Sequence, residues 1–452
     1  MIRIASGQGY WGDWPQAPAL QVRSGPIDYL VMDYLAEVTM SILQKQRRRD
    51  PSAGYATDFV TDLGELLPEI ADKAIRVIAS AGGVNPRGCA QALLARARQA
   101  GLTELKVGIV RGDDVLDRAL GRAEPALTMT PLEAELPFES VRQRLTSANV
   151  YLGARPIVEA LRRGAQIVVT GRCTDTGLAL APMIHALDVA EDDWDALALG
   201  TVVGHVLECG AQASGGNFLA DWRAVADADR IGFPIAEVHD GGRAVITKHA
   251  GLGGLVSAAT IKEQLLYEIG DPRCYVTPDG IADFTTIRLR EIGPDRVEIT
   301  DVRGRPAPPT LKVSCVYEAG WKVSGQITYC WPEARARAQA AGQLIRKRVE
   351  NLLGVDRFQE WLIECVGADA CHDGLVERRD EAEEVTLRVS ARSNDRAACD
   401  ALSRELAPMV LTGPPGATGF AGGRPRASEV MAYWSGLVPR EAITPEVEIL
   451  EA

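Results

Sequence analysis

Apolar residues recur along the first half of this chain in short runs, each ending in a glycine or an acidic residue and followed by a stretch of helical periodicity. The runs Arg3 to Ser6, Tyr29 to Asp33, Ile75 to Ser80, Lys106 to Val110 and Gln166 to Thr170 read as strands. Leu35 to Arg48, Pro86 to Gln99, Pro156 to Arg163 and Trp194 to Cys209 read as the helices between or after them. Strand, turn and helix in repeated succession are the mark of a parallel sheet with crossover helices. Near residue 271 the pattern changes. Ile287 to Glu291, Arg296 to Val302, Leu311 to Tyr317 and Ser324 to Cys330 read as strands, with turns too short for crossovers, so antiparallel pairing is expected there. A long Ala/Arg-rich helix from Glu333 to Leu353 follows, then strands Trp361 to Val366 and Glu384 to Ala391 and a helix from Asp395 to Ala407.

The expected fold class is therefore α/β. A mostly parallel sheet with helices on both faces spans residues 1–270, and an α+β domain with antiparallel strands spans 271–452. A chain of 452 residues exceeds what one core usually supports, which agrees with two domains. The Gly- and Pro-rich stretch Thr412 to Pro425 reads as a loop.

With 46% hydrophobic and 24% charged residues, the chain has the composition of a folded globular protein. A formal net charge of -12 argues against a nucleic-acid or anionic-membrane partner, either of which calls for a basic footprint. The amino-terminal stretch MIRIASGQGYWGDW has neither a signal-peptide pattern nor a membrane-spanning run, so a cytoplasmic location is expected. Nine scattered cysteines, none in a CxxC pair, fit reduced thiols.

Chemistry-bearing residues concentrate in a few segments. Ser6 to Asp13 places Gly7, Gly9 and Gly12 in a GxGxxG spacing beside Asp13, directly after a strand. Trp14 and Pro15 stand where a phosphate-binding helix would begin, which disfavours a dinucleotide site. The glycines either bring backbone N–H groups close to an anionic ligand or only shape a turn. A second loop, with Gly82, Gly83 and Asn85 before Pro86, opens a helix and reads as a carboxylate or phosphate cradle, or as a plain strand-to-helix turn. Asp113 and Asp114 read as caps of the helix after them.

The densest segment runs from Gly171 to Gly216. Arg172 and Asp175 bracket a strand-end loop where a guanidinium clamps a carboxylate and Asp175 acts as general base or orients Arg172. A purely structural ion pair is the alternative. His205, Glu208 and Cys209 lie at i, i+3 and i+4, one helical face, with Gln212 at i+7 if the helix continues. His and Glu form an acid/base pair or half a metal site, and Cys209 is a nucleophile or an inert packing residue. Gln212, Gly215 and Gly216 shape a polar turn suited to a substrate carbonyl or hydroxyl, and Lys248, in a hairpin, is placed to neutralise a carboxylate or thioester oxygen.

In order, these strings resemble the acyclic terpene utilisation AtuA family. The match runs through ASGQGYWGD, DYLVMDYLAE, DPSAGYATDF, VIASAGGVNP, NVYLGARPIVEALRRGAQIVVTGRCTD, DDWDALALGTVVGHVLECGAQASGG, GFPIAEV, GLGGLVS and KEQLLYEIGDPRCYVTPD, covering most of residues 5–330. The resemblance implies catabolism of a branched carboxylic acid or its acyl-CoA ester, and a lyase step: hydration, dehydration or C–C cleavage. The expected enzyme is a cytoplasmic hydro-lyase. Its alternatives are a hydrolase using Cys209 or a metal-bound water, and a non-catalytic scaffold component of a pathway complex. No redox cofactor is needed, and a divalent metal is the one cofactor the residues admit. A homo-oligomer is expected. Longer relatives carry a small ferredoxin-like module, of which this chain shows no obvious copy, so a separate companion subunit is envisaged. Ala5, Ser214 and Leu252 depart from the family's Gly, Thr and Thr.

Overall fold

The structure is a computed structural model that describes all residues except 134–135, 369, 373–374, 376–381 and 420–421, together with the side chain of Glu37. Its largest element is a ten-stranded mixed sheet. At its centre, Ile2–Gln8, Tyr29–Met32, Arg76–Ala79, Ile167–Thr170 and Lys106–Arg111 lie side by side in that order and pair in parallel. Tyr29–Met32 and Ile167–Thr170 are buried along their whole length, as expected of strands covered on both faces.

Antiparallel strands extend both edges. Ile235–His239 pairs with Ile2–Gln8 and is followed outward by Arg243–Thr247, Arg296–Thr300 and Arg288–Gly293, while Glu446–Glu451 pairs with Lys106–Arg111. The sheet is thus parallel only in its N-terminal part, a correction to the mostly parallel sheet that the sequence suggests. The hairpin expected around Asp240 is present as the two strands on either side of the turn Asp240 to Gly242.

Alternation along the strands separates two buried layers. Helices Ala17–Ser24, Thr57–Asp72 and Pro86–Gln99 cover one face, sharing a core that includes Val22, Phe59, Leu63, Leu93, Leu30, Met32, Val77 and Val169. Helices Gly177–Leu187 and Trp194–Glu208 pack together and lie against Ile2–Gln8 on the other. Trp194–Glu208 starts on Asp193, whose side chain accepts from the Ala196 N–H at 3.1 Å, and is buried from Leu197 through Leu207. Gly204 lets this helix approach Thr176, because a Cβ there would lie 2.5 Å from the Thr176 carbonyl oxygen. That close approach brings the end of the helix to the strand ends.

The chain forms two compact units, residues 1–316 with 433–452, and residues 317–432. The change of pattern at residue 271 falls within the first unit, since Arg288–Gly293 and Arg296–Thr300 join the first sheet, whose antiparallel pairing already begins at Ile235–His239. The two runs expected at Leu311 to Tyr317 and Ser324 to Cys330 form one strand, Thr310–Cys330. In the second unit this strand is followed by helix Ala334–Leu353, strands Glu360–Val366 and Glu384–Ser393, helix Arg396–Leu406 and the start of Ser428–Pro439. The succession is βαββαβ, with the second strand beside the third and the third beside the first, as in a ferredoxin-like module. The sequence alone showed no copy of such a module, because part of it lies in a strand shared with the preceding unit. Its core joins Val323, Ile327, Val385, Leu387 and Val389 to Ala338, Ile345 and Leu402 of the helices.

Candidate functional site

Within the first unit a cavity of about 960 Å³ opens at the C-terminal ends of the parallel strands, where open α/β sheets bind ligands. Three strand ends supply its floor: Asp33 follows Tyr29–Met32, Arg172 follows Ile167–Thr170, and Gly9 to Trp11 follow Ile2–Gln8. Glu208, Cys209 and Gln212 enter from the end of the buried helix, and Tyr151, Tyr275 and Lys312 from the walls.

Arg172 is the most constrained of these groups. Its backbone N–H donates to Asp113 Oδ2 at 2.8 Å, its Nη1 donates to Asp175 Oδ1 at 2.8 Å and to the Leu35 carbonyl, and its guanidinium lies 4.3 Å from the Tyr151 ring centroid. Lys312 Nζ stands 4.8 Å from the same ring, so one aromatic face region organises both cations of the cavity. Asp113, expected as a helix cap, instead fixes this loop, accepting also from Asn149 Nδ2 at 2.9 Å. Asp114 takes the capping role, accepting from the Leu116 N–H at 3.1 Å. Burial pushes the Asp113 carboxyl up to about 7. Gly171 is required beside it, since a Cβ would fall 2.2 Å from Asp113 Oδ1.

Asp33 accepts from the Ser80 hydroxyl at 2.6 Å and from the Leu35 N–H at 3.1 Å. Burial holds its carboxyl well above the usual carboxylate range, and the nearby Asp175 carboxylate adds to this, against the pull of Arg172. Glu208 is likewise raised by burial, with His205 drawing it back. A void of about 10 Å³ is lined by Asp33, Asp175 and Glu208 together with apolar residues such as Val31, Met32, Leu178 and Leu207.

His205 is 1% exposed and does not line the cavity. It packs between Tyr275 and Phe284, each ring centroid 5.5 Å away, and its Nδ1 lies 2.7 Å from Glu208 Oε1. The contact is ionic, without the alignment of a ring N–H hydrogen bond. Burial lowers the imidazole's proton affinity, but Glu208 outweighs it and the ring sits above its ordinary value. Glu208 is the member of the pair that reaches the cavity. The helix ends at Glu208 and a 3-10 turn, Gly210–Ser214, carries Gln212 to the cavity wall, where its Nε2 donates to Gln264 Oε1 at 2.9 Å. Burial pushes the Cys209 thiol up to about 12, which leaves it protonated and works against a nucleophilic role.

The glycine loops do other work. Asp13 closes the first loop on itself, accepting from the Gly9 N–H at 2.9 Å and the Trp14 N–H at 2.7 Å. Gly9 lines the cavity, but its lack of a side chain is explained by the Cys209–Gly210 peptide, 2.9 Å from where a Cβ would sit. Gly7 packs on Leu30, and neither Gly7, Gly12 nor Asp13 lines the cavity. In the second loop Asn85 caps the helix, accepting from the Gly88 N–H at 3.0 Å, while Gly82 and Gly83 fit against Thr170, Pro86 and the Gly54 carbonyl, away from the cavity. Gly215 and Gly216 serve the turn after Ser214, packed on Val225 and Ala211. Lys248 lies in a separate depression, held by Asp295 Oδ2 at 3.0 Å and the Leu252 carbonyl at 2.8 Å.

Of the residues expected from sequence, Arg172, Asp175, Glu208, Cys209, Gln212 and Gly9 meet in one cavity. His205, Lys248, Gly7, Gly12, Asp13, Gly82, Gly83, Asn85, Gly215 and Gly216 do not line it. Sequence reasoning missed Asp33, Tyr151, Glu268, Tyr275 and Lys312. The usable signal for Asp33 was an acidic residue closing the wholly apolar strand YLVM. No three His, Cys, Asp or Glu side chains cluster as metal ligands among the described residues, and no described helix is long and apolar enough to cross a membrane.

The chain is a mixed α/β protein with a carboxyl-lined cavity at its strand ends. The family model for the acyclic terpene utilisation family protein AtuA matches residues 2–449, and the chain belongs to that family. Comparison with curated proteins and with solved structures finds no match.

Proposed function

We propose that this protein is a lyase, a hydro-lyase acting on a branched carboxylic acid or its acyl-CoA ester in a cytoplasmic catabolic pathway. The observation that most supports this reading is the placement of two buried carboxyl groups in one cavity with Arg172: Asp33, which burial holds well above the usual carboxylate range, and Glu208, which is paired with His205. Reversible dehydration needs a base for the proton α to a carbonyl, an acid for the departing hydroxyl and a cation for the enolate oxygen. In the dehydration direction Glu208 takes the α-proton, Arg172 and Lys312 stabilise the enolate oxygen and carboxylate, and Asp33 protonates the hydroxyl as the C–O bond breaks. Water leaves, and a double bond forms from the electrons of the broken C–H bond. His205 acts through Glu208 and is a positioning residue. Burial of Cys209 counts against the thiol hydrolase alternative. The apolar wall formed by Leu35, Leu132, Leu311 and Leu437 suits a branched hydrocarbon chain.

The test is incubation of the purified full chain with branched 3-hydroxyacyl and 2-enoyl thioesters and with the corresponding free acids, following the enoyl chromophore and deuterium uptake from heavy water. Interconversion of at least one pair is expected. Absence of interconversion and of α-deuterium exchange across the panel overturns the assignment.

A further inference from the structure

The depression around Lys248 is a second site, distinct from the strand-end cavity. It has a volume of about 570 Å³, and Arg3, Lys248 and Arg296 line it together with Ser24, Thr247 and Asp295. Three cations around one hollow are conspicuous in a chain with net charge -12, where long-range electrostatics repels anions.

The donors of these cations are only partly used. The Arg3 side chain is 19% exposed, yet its Nε is buried without a hydrogen-bond partner among the described residues, and the Glu237 carboxylate stands 3.6 Å away, beyond hydrogen-bonding reach. Lys248, 6% exposed, spends two of its three donors on Asp295 and the Leu252 carbonyl, which fixes its ammonium at the wall. Arg296, 39% exposed, donates through Nη2 to Glu237 Oε2 at 2.5 Å. That bond uses one of its five N–H donors. Two neighbouring carboxylates, Glu237 and Asp295, hold the cations in place, and Asp28 accepts from the Arg3 backbone N–H at 2.7 Å.

We infer that this depression binds a phosphate group carried by a small organic molecule. Arg forks match the geometry of tetrahedral oxyanions, and a phosphate offers oxygens enough to meet donors from three separate side chains, which a single carboxylate does not. His249 bounds the hollow without joining the binding set. Its Nε2 donates to the Gln21 carbonyl at 3.0 Å, and Gly25 packs against the buried ring, where a Cβ would sit 2.5 Å from Nδ1.

The experiment is isothermal titration calorimetry of the full chain at constant ionic strength, with inorganic phosphate, pyrophosphate, ADP and citrate as probes. Saturable binding of phosphate or ADP is expected, with citrate weaker. ADP binding above phosphate assigns a nucleotide-borne phosphate, and equal binding assigns the phosphate group alone. Arg296→Gln, at a side chain 39% exposed, should weaken the binding about tenfold. Lys248→Met should weaken it as well, with thermal melting used to confirm folding of both variants. Absence of saturable binding by phosphate, pyrophosphate and ADP overturns the inference, as does binding unchanged by Arg296→Gln or stronger for citrate. The outcome is independent of turnover in the strand-end cavity.

Discussion

Two sets of loops leave the same parallel sheet and look equally suited to chemistry in the sequence, but they do opposite things. The glycine loops after Ile2–Gln8 and Arg76–Ala79 satisfy their own backbone, through Asp13 and Asn85, and their glycines are where other backbone presses closest. The strand ends at Asp33 and Arg172 carry side chains that the fold buries at a cost, one carboxyl lifted by burial and one guanidinium held by Leu35, Asp175 and Tyr151. Glycine spacing therefore reports packing here, and buried charge reports the site.

The sharpest way to break that comparison is to change one residue of each kind. Glu208→Gln keeps shape and removes the proton acceptor, so turnover in the enoyl assay should fall about 100-fold or more with thermal stability little changed. Gly12→Ala, in the glycine loop, should leave turnover intact, because nothing lies within 4 Å of its added Cβ, and its φ of +99° predicts a stability loss of about 1 kcal/mol. Comparable losses of turnover in both variants would erase the distinction.

Stability offers a second contrast. Gly82→Ala places a Cβ 2.5 Å from both the Pro86 side chain and the Thr170 carbonyl oxygen, so chemical denaturation should show a loss of about 1–3 kcal/mol. Asn85→Ala, which only removes a cap from the same loop, should cost about 1 kcal/mol.

Asp113 sharpens the comparison through pH. Its carboxyl sits at about 7 in the folded chain, above its unfolded value near ~4, so across that window the folded state keeps a proton the unfolded state has released. Its contribution to stability therefore declines as pH rises from about 4 to 7 and is level above. Asp113→Asn cannot titrate, and its denaturation midpoint should fall less between pH 5 and 8 than that of the wild type. An equal fall in the two proteins would show that Asp113 is not the titrating group.

Much of this was legible in the sequence because local pattern decides it. The strands, the crossover helices and the hairpin at Asp240 follow from apolar periodicity, and Arg172 with Asp175 from their place after a buried strand. What stayed hidden depends on long-range pairing. Lys312 and Tyr151 meet Arg172 only because chain segments far apart in sequence fold together, and Glu446–Glu451 reaches Lys106–Arg111 from the far end of the chain. His205 shows the limit of helical arithmetic. It shares a face with Glu208, but the helix ends at Glu208 and that face divides, with His205 against Phe284 and Glu208 at the cavity.

The claim that burial holds the Asp33 carboxyl well above the usual carboxylate range is tested most directly by infrared difference spectroscopy, wild type minus Asp33→Asn, followed through a pH titration. The structure predicts a carboxylic acid C=O band that the variant lacks and that persists above the pH at which an exposed aspartic acid ionises. A wild-type Asp33 that contributes only carboxylate stretches above that pH would contradict the account.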